Sequence, residues 1–312
     1  MPNLVRLCIL ISLVGLTGCS TLIPGYGDSR ERRYRRELQA QREREAASHA
    51  EVPAAERTTE SLIAEGDRKL AEGDRRLALL NYLEARRISP DDPEALNRIG
   101  YYYVIEDPEQ AAAIFAGVIN RYEDSADAHA GLGLARFAQG RYDDARASFE
   151  RAEQIDGNLP AALDALGVIH AIDDDSTASL EYAQRAFQAN PRDAPIANNL
   201  GVAYLQQSEF QRAEEAFRAA ILLDPSDPAL YNNLGYALGR LGRYDEATAA
   251  FRRYGDDGAI HNNLGYVYYL NGDIEESIRH FEIAMRSVEP DDRIRVLQNL
   301  RAATMTDPKT SP

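Results

Sequence analysis

Histidines, cysteines and paired carboxylates are the raw material of catalytic and metal sites, and this chain places them sparsely. His49, His129, His170, His261 and His280 stand at unrelated spacings, without the close pairing that a zinc site or a nucleophile and its base require. Asp143-Asp144 and Asp245-Glu246 are adjacent acids, yet each pair opens an apolar-periodic stretch, where negative charge suits the positive end of a helix. The glycines are isolated and form no phosphate-cradling loop. Cys8 and Cys19 are the only cysteines. These residues predict no catalytic site, no metal and no cofactor, and therefore a protein that is not an enzyme.

The elements that carry these residues repeat. Gly66, Gly100, Gly133, Gly167, Gly201, Gly235 and Gly265 follow one another at 34, 33, 34, 34, 34 and 30 residues. The phrase NNLGY occurs at residues 232–236 and 262–266, and GRYDDARASF at 140–149 returns as GRYDEATAAF at 242–251. A period of this length marks stacked structural units. Within a unit the apolar residues come in two helical bursts, as in Ala197, Leu200, Tyr204 and then Ala213, Phe217, Ala220, so each unit is a helical hairpin. Pro90, Pro191 and Pro225 close second helices, because proline cannot continue a helix. The small residues Ala78, Ala145, Ala213 and Ala247 let the paired helices approach. Tyr82, Phe149, Phe217, Phe251 and Phe281, four residues further on, fill the space between them.

This pattern of Leu-Gly-x-x-Tyr, Gly-x-Tyr-x-x-Ala, then Phe, Ala and Pro resembles the tetratricopeptide repeat. The resemblance covers residues 59–291 as seven units and implies an all-α, right-handed superhelical solenoid, with residues 292–312 forming a capping helix and tail. Two units depart from it. In residues 93–125 one residue is missing where Glu106-Asp107-Pro108 replaces the turn glycine. In residues 228–257 four are missing, about one helical turn, so the second helix there should stop near Tyr254 and the pitch should change locally.

The N-terminus predicts a location. Arg6 precedes an apolar run at residues 7–16, too short to span a bilayer and of the length of a signal-peptide core. The following Leu16-Thr17-Gly18-Cys19 resembles the bacterial lipobox. That resemblance implies removal of residues 1–18, acylation of Cys19 and, with Ser20 next, sorting to the outer membrane, facing the periplasm. Multiple acyl chains at about 0.8 kcal/mol per buried methylene hold such a protein stably to a membrane. Cys8 falls in the removed segment, so no disulfide is expected. Residues 19–58 read as a charged spacer. The chain has a formal charge of −15. The part beyond Arg57 carries 26 basic against 43 acidic residues, which opposes a nucleic-acid partner, since phosphate binding rests on Lys and Arg.

What remains is a surface. Residues three before, one after and four after each glycine share a face of the first helix, and by resemblance that face lines the concave groove. It carries Asn97, Asn198, Asn232 and Asn262 in the first position and Tyr101, Tyr236 and Tyr266 in the second. An asparagine amide can pair with both the C=O and the N–H of an extended peptide, and tyrosine adds apolar area with a polar tip. The groove is thus expected to bind protein partners. The second asparagines, Asn199, Asn233 and Asn263, are expected to support packing. A lipobox followed by such repeats resembles the assembly lipoproteins of tight-adherence pili and, more loosely, type IV pilus pilotins. That implies envelope partners, a secretin or pilus components. The alternative is an adaptor for peptidoglycan hydrolases or synthases.

Overall fold

The computed structural model describes residues 57–287 and 293–306; the lipobox with Cys19, His49 and most of the charged spacer lie outside them. The described residues form fifteen helices and no strand. They divide into two compact units, one up to residue 162 and one from residue 163 onward.

The first unit holds α1 (Thr59–Ala71), α2 (Arg75–Ile88), α3 (Pro93–Glu106), α4 (Pro108–Ile119), α5 (Ala126–Ala138) and α6 (Tyr142–Ile155). The second begins within α7 (Pro160–Ile172) and continues through α8 (Ser176–Ala189), α9 (Ala194–Gln206), α10 (Phe210–Leu223), α11 (Pro228–Arg240), α12 (Tyr244–Phe251), α13 (Asp257–Asn271), α14 (Ile274–Ser287) and α15 (Arg293–Thr306). Consecutive odd and even helices pair as seven hairpins, and α15 packs on α14 through Val296 and Ala303 against Phe281 and Ala284.

Local chemistry sets the helix starts. Asp74, Asp92, Asp107, Asp175, Asp193 and Asp256 each accept the backbone N–H three residues on, and Asp227 the one two residues on. Such caps satisfy N–H groups that the helix leaves unpaired, and proline follows at the first helical position in α3, α4 and α11. Part of the acidic surplus is therefore built into the fold. Inside the hairpins, α3–α4 excepted, the turn uses one left-handed residue. Gly140 supplies it at φ 75°, whereas Ser208 adopts φ 59° in the same role without glycine's freedom.

The core of each hairpin is the predicted glycine against an aromatic ring. A Cβ on Gly201 would lie 2.5 Å from Phe217, and one on Gly133 or Gly235 equally close to Phe149 or Phe251. Ala78, Ala145, Ala213 and Ala247 are buried beside them. The fourth hairpin departs, with Ala183 where the others place a ring. There α7 and α8 close directly on each other, so that a Cβ on Gly167 would meet the Ala183 backbone nitrogen at 3.3 Å. The ring reappears one turn later as Phe187, which packs among Leu163, Ala186 and Ile196 and against the Ala197, Ala220 and Leu230 cluster.

Both irregular units are shortened where their spacing predicts, the sixth by more than the one turn expected. Asp107 alone joins α3 to α4, closing one helix and capping the next. In the sixth hairpin α12 has 8 residues where its counterpart α10 has 14, and the chain leaves the helix after Phe251, with turns to Tyr254. The lost turn lets α11 and α13 meet closely, since a Cβ on Gly239 would fall 2.5 Å from Val267.

Candidate protein-binding face

In the first unit the groove positions are tied into a polar network. Asn97, 4% exposed, donates from Nδ2 to Asp127 Oδ2 at 2.8 Å, while its own Oδ1 is buried without a partner. The Tyr101 hydroxyl donates to Asp127 Oδ1 at 2.7 Å, and burial followed by that carboxylate pushes its pKa well up. Its ring meets Phe115 edge-on at 5.2 Å. Next to this pair, Asp67 accepts from Arg98 at 2.8 Å and from Tyr82 at 2.8 Å. Burial raises the Asp67 carboxyl, but these hydrogen bonds outweigh it and hold it below the ordinary value. Leu70 is the groove position that stays open, 47% exposed.

In the second unit the asparagines form rungs between neighbouring first helices. Asn233 Nδ2 donates to Asn198 Oδ1 at 2.8 Å, Asn199 Nδ2 to both Asp164 oxygens at 3.0 and 2.9 Å, and Asn299 Nδ2 to Asn262 Oδ1 at 3.0 Å. Each rung links the residue three before one glycine to a partner amide on the next odd-numbered helix. Asn198 and Asn262 are 3% and 7% exposed. Asp164 forms the most unusual rung. Solvent still reaches part of its surface, yet burial of the carboxyl, opposed by the Asn199 hydrogen bond and reinforced by Asp193, pushes its pKa up to about 7.

These contacts correct the expectation that all four first-position amides line an open groove. Asn97, Asn198 and Asn262 are buried and turned to Asp127, Asn233 and Asn299 on the next first helix or the capping helix. A buried amide must then pair within the protein. Asn232 is the exception. It is exposed and makes no side-chain hydrogen bond among the described residues, and neither does Asn263, its counterpart on the next first helix. The rung that should join them is open at the hairpin that lost a turn. Beside it Tyr236 and Tyr266 stand half-buried with rings stacked at 6.2 Å and 29°, and Tyr266 and Tyr269 rest on the Phe281 cluster. An unpaired amide next to two tyrosines is the part of the face able to take a peptide backbone and an apolar side chain together.

Other residues meet where spacing alone showed nothing. His261 and His280, expected to stand apart, face each other with Nδ1 atoms 2.8 Å apart. The signal lay in the hairpin register: Gly265 meets Phe281, so the residue one turn before Gly265 lies near the residue preceding Phe281. His129 bonds the Glu123 carbonyl at 3.0 Å, and His170 stacks on Tyr182. The displaced Phe187 opens a cleft of about 540 Å³ between α8 and α10, lined also by Gln184, Leu200, Tyr204, Arg212 and Ala216. Among the described residues no group of three His, Cys, Asp or Glu is placed to hold a metal ion, and no helix is long and apolar enough to cross a membrane.

The family model of the tetratricopeptide repeat matches residues 101–160, 173–228, 198–255 and 232–291, together more than half of the chain. The chain belongs to the tetratricopeptide repeat family, whose members are in general non-catalytic scaffolds that bind other proteins. No protein of curated function matches it in sequence. Among solved structures it is similar to a chain of the APC/C hetero-tetramer Cut9-Hcn1, at 19% identity and a TM-score of 0.57 over 95% of this chain; the match spans 62% of that longer chain. It is also similar to PilF from Pseudomonas aeruginosa, at 19% identity and a TM-score of 0.52 over 64% of this chain and 93% of that one. Identities this low speak for the fold.

Proposed function

We propose that this protein is an outer-membrane lipoprotein of gram-negative type, acylated on Cys19 and facing the periplasm, whose repeats bind envelope proteins during assembly of a pilus or secretion apparatus, most specifically in placing the secretin. The observation that carries the binding role is the open rung: Asn232, exposed and unbonded, beside the stacked Tyr236 and Tyr266. An extended segment of a partner supplies the hydrogen bonds that the neighbouring repeat supplies elsewhere. The lipobox-like Leu16-Thr17-Gly18-Cys19 supports the anchor, and the fold likeness to PilF is in keeping with the pilus reading.

The test has two arms in the native host. Metabolic labelling with a palmitate analogue is expected to mark the wild-type chain and not Cys19→Ser. Affinity capture from detergent-solubilised envelopes is expected to recover a secretin or pilus component, and to lose it with a combined Asn232→Ala, Tyr236→Ala, Tyr266→Ala variant. Recovery of cell-wall hydrolases or synthases instead would replace the pilus reading by an adaptor role; capture unchanged by the variant would remove the face.

A further inference from the structure

Among the described residues of the second unit, His261 on α13 and His280 on α14 are two titratable rings joined by a hydrogen bond that the binding face does not use. Their Nδ1 atoms lie 2.8 Å apart, with ring centroids at 5.0 Å and planes at 34°. At that distance one nitrogen donates and the other accepts, so at least one ring gives up its Nδ1 proton. The rings continue a column. His280 stacks on Tyr268 at 5.2 Å, and Tyr268 on Tyr244 at 4.1 Å. The Tyr244 hydroxyl donates to Asp273 Oδ2 at 3.2 Å and accepts from Asn271 at 3.0 Å. Four rings thus fasten α12, α13 and α14 together beside the shortest helix of the fold.

We propose that the His261–His280 pair is a proton-sensitive latch on the last hairpin, closed while the two rings share one Nδ1 proton and released when both imidazoles are charged. Two imidazolium N–H donors cannot face each other at hydrogen-bond distance, so the second proton replaces a bond with a repulsion.

The surrounding charges favour that response. Burial first, then the His261 charge, lowers the pKa of His280, and Arg279 acts in the same sense while Glu276 opposes them. Tyr268 faces it from α13, and the acids near that ring are Glu276, Asp273 and Asp245. α15, which carries Arg293, Arg295 and Arg301, meets α14 at Phe281 and Ala284. The sign follows. A histidine whose folded pKa lies below its unfolded value of about 6.5 takes up its proton more readily when unfolded, so the hairpin loses stability as pH falls through that value. Release reaches the binding face through the apolar cluster of α14 and α15, on which Tyr266 rests.

The experiment is hydrogen exchange of the full-length chain read by mass spectrometry, corrected for intrinsic exchange, at about pH 7.5 and about pH 5.5, on either side of the histidine range. Protection of α14 is expected to fall several-fold relative to α9 at the lower pH. His280→Gln, which offers His261 a partner that does not titrate, is expected to abolish that difference. Equal α14 protection at both pH values in the wild type overturns the latch without any variant. A loss that persists in His280→Gln assigns the sensitivity to other groups and overturns it as well.

Discussion

Gly201→Ala puts the packing rule of this fold to a quantitative test. The new Cβ would sit 2.5 Å from Phe217 Cε1 and 2.7 and 2.8 Å from two further atoms of the same ring. Phe217 is completely buried among close-packed neighbours, so the ring cannot turn away and the helices must separate. Overpacking of this kind costs about 1–3 kcal/mol. Against it stands the gain of alanine over glycine in a helix, about 1 kcal/mol. The steric term is the larger, and a net loss of up to about 2 kcal/mol is expected in urea denaturation followed by circular dichroism. Gly117→Ala supplies the control. It lies in α4 with nothing within 4 Å of its would-be Cβ, so the propensity gain stands alone and stability should rise by about 0.5–1 kcal/mol. A Gly201→Ala protein stabilised as much as Gly117→Ala would refute the reasoning.

The same denaturation assay checks the remaining expectations. Asn233→Ala leaves Asn198 Oδ1 buried and unpaired and should cost about 1–3 kcal/mol, whereas Asn232→Ala, on an exposed amide, should stay within about 0.5 kcal/mol of the wild type. Asp164 has a folded pKa raised to about 7; the native state therefore holds a proton that the unfolded chain releases near pH 4, and stability should decline as pH rises between those values. Asp164→Asn rewrites that rung in the form of Asn198 with Asn233, and should remove the decline and leave the protein more stable than the wild type at about pH 8. Ser208→Gly relieves a left-handed serine and should gain about 0.5–1 kcal/mol, the cost of αL for an L-residue less the entropy of glycine; a loss would contradict the backbone argument.

The fold was legible because its determinants are local and periodic. Glycine, alanine and aromatic residues at fixed offsets specify the contact of two helices within one hairpin, and the four residues missing before Gly265 announce a shortened helix, though α12 loses six. The face was less legible. Asn198 and Asn199 are adjacent, so their side chains leave the helix about 100° apart, and which one turns inward depends on how the neighbouring hairpin crosses. In the event both do, one toward Asn233 and one toward Asp164. Only Asn232 keeps the exposure that the repeated phrase suggested, at the hairpin whose second helix is short. The Phe187 cleft was hidden for a similar reason. A ring displaced by one turn is invisible to a search at fixed phase, although Ala183 at the aromatic position marks the place.

Photocrosslinking in living host cells tests the central claim most directly. A photoreactive amino acid at Asn232 or Tyr236 should trap a secretin or pilus component, while the same group at Leu222, 85% exposed and away from the groove positions, should trap none. Trapping of that partner from Leu222 alone, or with equal yield from all three sites, would contradict the assignment of the open rung as the binding face.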